Sequence, residues 1–503
     1  MKRICLLLFL PILFSQNIFS QGVNNVWITG YFTWAPFPWG NTVTDFSSGG
    51  PISVAQNMNL SFMRTNASIA DTAGNLLFYT NGFNVCNALG EVMPNGSGLD
   101  SSDFYSSWYE DGMPNPQGAL IIPYPSHPDS FFLIHQTADY VQFGSVLTVA
   151  PFELYYSIID MTLDSGRGDL VERQVTFLEN TLQAGRLTAC KHANGRDWWL
   201  VTRKCYSDIF YTFLITPDGI SSPLTQQIGD TLQPPDIGQV CFSPQGDKYA
   251  LVDHLNGLRL FDFDRCTGIF SNPIYIPLDS DFVKGVAFSP NGQFLYVTND
   301  TCVYQYNMWS SNIDSSKLTV ALWDSTYSPQ WPSATTFYTP QLGPDGKIYI
   351  SCGNGSDVMH VINQPDSSGI ACDVCQHCIT LPTYNSFGCV PNHPNYFLGA
   401  ETGSICDSLT VNSNQNFYSE NIPLKIYPNP AQNFFWIDYY ITNSTTNGEL
   451  IMFNTLGEVV MRKTLFSYFR SAKVECKKLL QGVYYVSIIA ENKMIASGKF
   501  VKQ

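Results

Sequence analysis

Residues 372–378 read CDVCQHC, three cysteines at i, i+3 and i+6 with a histidine between the last two. Those residue types at that spacing suit iron–sulfur ligation, zinc coordination or disulfide bonding. An iron–sulfur site wants a fourth cysteine at short fixed spacing, and the next one, Cys389, lies well outside it. Zinc could recruit His377 or Cys389 to fill a four-ligand set. Disulfides need an oxidising compartment, so the choice turns on where the chain works.

Two other stretches carry candidate chemistry. Asp262-Phe263-Asp264 puts two carboxylates on one face of a strand, a partial oxygen set for Ca²⁺, although such residues also cap the turns of their own sheet. DSSDFYSSWYEDG at 100–112 mixes Asp100, Asp103, Glu110 and Asp111 with Phe104, Tyr105, Trp108 and Tyr109. Aromatic-rich loops of this kind make carbohydrate or protein contacts, or else pack back on the sheet that carries them. The chain has no H-E-x-x-H, G-x-S-x-G, P-loop or dinucleotide fingerprint. Its seven histidines include no pair at ligand spacing on an expected helix. No catalytic residue, cofactor-binding residue or metal ligand is assigned, and Ca²⁺ is the one cofactor left open. A glycosidase pair stays open too, because two acids about 5 to 10 Å apart can lie far apart in sequence.

The ends of the chain set the compartment. Lys2 and Arg3, the apolar run Ile4–Phe14 and the small residues Ser15 and Ser20 read as a secretory signal peptide over residues 1–20. No later segment reaches the ~20 apolar residues of a membrane span. Only 13% of residues are charged, and Tyr, Phe, Trp, Gly, Pro, Asn and Ser abound, a composition that suits a turn-rich extracellular β protein. Residues 21–420 hold 14 Lys/Arg against 36 Asp/Glu. That balance opposes binding to nucleic acid or to an anionic membrane surface.

Along the middle of the chain one unit recurs: a short strand, a Pro-x-Gly turn, then an alternating strand. The instances are FLITPDGIS (213–221), VCFSPQGDKYALV (240–252), VAFSPNGQFLYVT (286–298) and PQLGPDGKIYISC (340–352). Pro presets φ and Gly supplies φ > 0, so each favours a tight hairpin. Pro244 to Pro290 spans 46 residues and Pro290 to Pro344 spans 54, the period of a β-propeller. RLFDFDRCTGIFSNP (259–273) supplies an outer hairpin, and GNLLFYTNG, SFFLIHQTAD and NGRDWWLVTRK read as degenerate blades. The expected fold is all-β: a propeller of about seven blades over 21–409, with stacked β-sandwiches as the alternative. SPQGDKYALV, SPNGQFLYVTND and LFDFDRCTG resemble the seven-bladed YVTN/WD40-like propellers. The blocks at 71–96 and 391–409 resemble secreted Bacteroidetes propellers of largely undefined function.

A polar stretch at 410–423 reads as a linker, and 424–503 as a small Ig-like β-sandwich of five or six strands. The latter closely resembles the C-terminal sorting domain of type IX secretion substrates. The matching positions are Tyr427, Pro428, Asn429 and Pro430, then Gly457, then Gly482, Val483, Tyr484 and Tyr485, and lastly Lys499, Phe500 and Lys502. The resemblance implies Sec export, passage through the outer membrane by the type IX machinery, and an extracellular or cell-surface destination.

In that setting CDVCQHC reads as a local disulfide staple near the propeller's last blade. Cys372, Cys375, Cys378, Cys389 and Cys406 are the disulfide candidates. With Cys5 removed 13 cysteines remain, so at least one has no partner within the chain. The expected function is non-enzymatic binding of an unknown protein or glycan. The alternatives are a hydrolase or lyase acting on extracellular polysaccharide or peptide, and a structural surface or gliding-motility component.

Overall fold

The computed structural model describes residues 22–407 and 422–503, apart from 101, 144–145, 233–236, 279–281, 329–332, 354, 387–389, 440–447, 455–458, 467–470 and 491–492. The expected signal peptide lies outside the described residues, as do Cys389, Gly457 and nearly all of the expected linker. The chain is all-β, with 4% helix and 52% strand. It divides into two compact units, 1–408 and 409–503.

Seven sheets of three or more strands make up the first unit among its described residues. The first is Val26–Tyr31, Gly40–Asp45 and Ile52–Ala55; the second runs from Ala67–Ala70 to Val92–Ser97; the third from Ala119–Pro123 to Asp169–Glu179. The fourth begins at Thr188–Lys191, the fifth at Gly238–Phe242, the sixth at Val283–Phe288 and the seventh at Pro340–Leu342. The strands of each pair antiparallel with their sequence neighbours. Each sheet also packs on the next. Phe78 meets Phe131 at 5.4 Å, Phe177 meets Phe213 at 5.0 Å and Phe210 meets Phe261 at 5.2 Å. The cycle closes where Trp27 of the first sheet stacks edge-on to Tyr349 of the seventh at 5.6 Å. This is a propeller-like arrangement. It explains why the second strands, such as Trp198–Arg203 and Phe294–Asn299, are buried at every position: sheets cover both of their faces.

Three of the four Pro-x-Gly turns join the first and second strands of the fifth, sixth and seventh sheets. Gly246, Gly292 and Gly346 sit at φ 77°, 75° and 77°, a region that costs other residues steric strain. The fourth, at 217–219, instead closes an outer hairpin of the fourth sheet. The equivalent inner turns of the second and fourth sheets dispense with Pro. There, Asp71 accepts the amides of Ala73 and Asn75, and Asn194 accepts those of Arg196 and Asp197. Side-chain acceptors replace proline as the device that presets the turn.

The first strands of successive sheets lie side by side, and their inward backbone groups need partners. Residues 392–399 provide them. The Asn392 amide N–H donates to the Asn66 carbonyl at 2.8 Å. Its Nδ2 donates to the carbonyls of Ala119 at 3.0 Å and Leu187 at 3.1 Å. Its Oδ1 accepts from Gln117 Nε2 at 3.1 Å, and Gln117 in turn binds both backbone groups of Val240. His393 donates to Ser68, Asn395 to Pro244, Tyr396 to Ile121, and Arg265 donates to the carbonyl of Gly399. One short segment therefore touches four sheets.

The second unit has eight strands among its described residues, in one five-stranded and one three-stranded sheet that share a core of Phe435, Ile437, Val474, Leu450, Met452, Val486, Ile488 and Phe500. Ile422–Pro423, placed in the linker by the sequence, pairs in parallel with Ala496 and Ser497. Cys476 fills a buried position in this core.

Asn392→Ala removes three side-chain hydrogen bonds and leaves buried carbonyls short of donors. It is expected to destabilise the first unit by about 2 to 4 kcal/mol, measured by urea unfolding. A loss below about 0.5 kcal/mol, the size of an ordinary surface substitution, would contradict the role assigned to this residue.

Candidate functional site

A cavity of about 280 Å³ opens beside residues 392–399, lined by first-strand residues, the Pro244, Pro290 and Pro344 turns, and Asn392–Asn395. Its described lining contains no Asp, Glu, Lys or Arg. His393 is its one titratable imidazole. Burial drives its pKa down to about 4, and its Nε2–H is committed to the Ser68 carbonyl at 2.8 Å. A neutral imidazole whose N–H is already donated cannot serve as an acid at pH 7. Three of the other polar side chains here, Gln117, Gln239 and Asn392, are likewise taken up in bonds to backbone.

Ionised groups gather near the opposite ends of the same strands. Arg186 and Asp253 form a fully buried pair at 3.1 Å, with Gln183 donating to the same carboxylate at 2.9 Å. Lys284 pairs with Asp300 at 3.2 Å, and Arg259 with Asp230 at 2.6 Å. His254 is pushed down to about 3 by burial and then by the positive charges of Lys284, Arg64 and Arg186. It too is neutral.

Exposed aromatic residues mark a third region. Segment 31–39 turns on Phe32, at φ 50°, and is pinned by Ser61, whose hydroxyl accepts the Thr33 amide at 3.1 Å. Phe32 contacts Trp34 and Trp39, each at 5.1 Å. Trp34 and Phe37 are 64% and 73% exposed, well beyond what a core aromatic shows. The 100–112 insertion forms a short helix, Asp103–Trp108, capped by Ser102. Phe104 is buried and Tyr105 packs on Phe83 at 5.2 Å, while Trp108 and Tyr109 stay exposed. Asp100 is buried and accepts the amides of Ser102 and Ala138, a structural task. Asp111 joins the two segments. Burial raises its pKa, and a hydrogen bond from the Trp34 indole acts against that rise.

The Asp262/Asp264 pair is divided between other roles. Asp262 bonds to Lys248 at 2.5 Å and Asn272 at 2.7 Å, and Asp264 caps the turn through the Cys266 amide and the Thr267 hydroxyl. Among the described residues no three His, Cys, Asp or Glu side chains are grouped to hold a metal ion.

The cysteines require a correction. Two disulfides form, Cys375–Cys378 and Cys266–Cys406. Cys372, expected in a bridge, is a buried thiol beside Tyr296. Seven further cysteines are also free: 86, 190, 205, 241, 302, 352 and 476. Most cysteines here act as small apolar side chains; burial lifts the Cys86, Cys190, Cys241 and Cys352 thiols to about 12, far from thiolate. Cys266 went unselected because its partner lies 140 residues away. Asn392, Trp34 and Phe37 were missed as well; for the last two, the Trp and Phe residues of TWAPFPW beside two prolines were the available signal.

In the second unit the expected sorting positions converge. Asn429 donates to the Lys499 carbonyl at 2.7 Å and accepts the Val501 amide at 2.9 Å, so the YPNP turn is braced on the terminal strand. The Tyr427 hydroxyl meets Asp438 at 2.9 Å. Gly482, Val483, Tyr484 and Tyr485 pair with Lys502, Val501, Phe500 and Lys499. Phe500 is buried against Phe435 at 4.3 Å, whereas Tyr485 is exposed.

Residues 425–503 match the secretion system C-terminal sorting domain. The protein is exported. Its tail is a type IX signal that directs it to the cell surface or the extracellular space. Among the described residues no helix is long and apolar enough to cross a membrane. No curated protein matches the exported chain in sequence. Several solved structures are similar to it. They include a periplasmic gluconolactonase from Pseudomonas aeruginosa (13% identity, TM-score 0.40, covering 73% of this chain and 98% of that one). A Lactobacillus plantarum protein (12%, 0.40, 72% and 98%) and a β-propeller domain from Myceliophteria thermophila (11%, 0.37, 65% and 90%) are others. At these scores the likeness assigns neither activity nor substrate to this protein.

Two predictions follow from the geometry. Phe500→Ala empties the core of the tail and is expected to cost that unit about 3 to 5 kcal/mol, retaining the protein inside the cell in a fractionation assay; unchanged export would contradict the need for a folded signal. His135, His254, His360 and His393 are held at about 3 to 4 against 6.5 unfolded. Between those values the unfolded chain binds more protons than the folded one, so stability falls as pH drops from 6.5 toward 4. A flat melting temperature across that window would contradict burial of these four rings.

Proposed function

We propose that the exported chain is a seven-bladed β-propeller recognition protein that binds a glycan or protein ligand and performs no catalysis. The tail, an Ig-like sandwich, serves as its address. The observation that carries this reading is the exposed aromatic sector formed by segments 31–39 and 103–111. Trp34 and Phe37 are offered to solvent, while the segment that carries them is held at its start by Ser61, whose hydroxyl accepts the Thr33 amide. Rigid, solvent-facing aromatic rings lose little entropy on binding and bring large apolar area.

The cavity argues in the same direction. General acid–base hydrolysis needs a carboxylate or imidazole of suitable pKa within reach of substrate. The cavity's described lining offers only the neutral, committed His393. The nearby ionised groups are spent on one another. The YVTN-type resemblance of the turns is compatible with this role, since such propellers present loops from each blade for recognition.

A glycan and peptide array probed with the mature chain tests the reading. Binding to at least one class is expected, and Trp34→Ala should weaken it about tenfold or more, the loss of an aromatic anchor. Turnover of an arrayed compound, or binding indifferent to Trp34, would overturn it.

A further inference from the structure

The Cys375–Cys378 bridge closes a ring over a bulge in the last strand of the seventh sheet. Met359 is paired with Ile379 and Val361 with Cys375, so Gln376, His377 and Cys378 all stand opposite the single residue His360. His377 adopts φ 58° there, a conformation that a β-strand residue adopts only under constraint.

The two residues inside the ring reach across to the connection between the sixth and seventh sheets. Gln376 Nε2 donates to the Leu322 carbonyl at 2.9 Å, and its Oε1 accepts the Asp324 amide at 3.2 Å. The His377 ring lies 2.8 Å from Thr335 Oγ1 through Nε2 and 3.6 Å from the Asp324 carboxylate through Nδ1. Its backbone N–H donates to His360 Nδ1 at 3.2 Å. The bridge thus holds a strap over the start and end of that connection.

Its two sulfurs are placed unequally: Cys378 is exposed and Cys375 half-buried, while both cysteines of the other bridge are half-buried. A bond spanning three residues also restricts the unfolded chain far less than one spanning 140. Global stability therefore depends little on it.

We infer that Cys375–Cys378 is a thiol–disulfide exchange site for a dithiol reductant, and that its opening releases the strap on Leu322, Asp324 and Thr335. A thiolate of the reductant attacks Cys378 Sγ, the Sγ–Sγ bond breaks, and Cys375 leaves as thiolate and takes up a proton. The reductant's second thiol then displaces Cys378, which is protonated in turn. The reductant ends as a disulfide and the protein holds two thiols; an oxidised dithiol reverses both steps. Freed of the bond, Gln376 and His377 relax toward regular strand geometry and withdraw from the connection.

The test titrates the mature chain with dithiothreitol, traps thiols by alkylation and maps them by mass spectrometry, with hydrogen exchange on matched samples. Cys375–Cys378 should open at a dithiol concentration about tenfold or more below that needed for Cys266–Cys406. Exchange at 322–328 and 333–335 should quicken about tenfold in step, and recover on reoxidation. Cys375→Ser with Cys378→Ser should reproduce the reduced pattern without reductant. Opening of both bridges together, opening of Cys266–Cys406 first, or opening that leaves 322–335 unchanged would overturn the inference. Should the double variant fail to fold, the wild-type titration decides alone.

Discussion

Sheets that stand edge to edge leave the backbone of their first strands facing inward, and every inward carbonyl and amide must be satisfied or cost about 1 to 3 kcal/mol. Asn392 and its neighbours meet that constraint. A β-strand could satisfy only two adjoining edges; a side-chain amide with two donors and one acceptor reaches several. Asn392 binds backbone of the second, third and fourth sheets and, through Gln117, of the fifth. The space between the sheets is thereby given to the chain's own closing segment, which leaves a small neutral cavity beside it.

The same segment leads to the covalent closure of the first unit. After Gly399 the backbone runs against the fourth and fifth sheets: the Glu401 amide donates to the Ala193 carbonyl of the fourth, and Cys406 is bonded to Cys266 of the fifth. The last described residues of the first unit are therefore fixed covalently just before the boundary at 408/409. Among the described residues the sheets of the tail contain strands of the tail only.

Much of the fold was legible because its devices are local. Pro and Gly two residues apart specify their turns whatever surrounds them, and Gly246, Gly292 and Gly346 adopt the φ that this demands. The YPNP and GVYYV stretches were equally readable as strand and turn. What escaped were long-range contacts made by side chains that look ordinary in sequence. PNHPNYFLGA belongs to a block legible only by its resemblance to other propellers, yet its Asn392 and Tyr396 are buried and bond to backbone of several sheets. Cys372 reads as a bridge partner only while its burial is unknown; once Tyr296 covers it, it is a small apolar group. Trp34 and Phe37 sit in a legible aromatic and proline-rich stretch, but that their rings face solvent is decided by the fold.

Native-state hydrogen exchange on the mature chain tests the central claim most directly, that residues 392–399 are the polar core of the first unit rather than a surface loop. The Asn392 amide, which donates to the Asn66 carbonyl, together with those of the strands that Asn392 and Gln117 bind, should exchange only through global unfolding, with the same denaturant dependence as the second strands. Exchange of this segment through local fluctuations, at rates typical of exposed loops, would contradict the account.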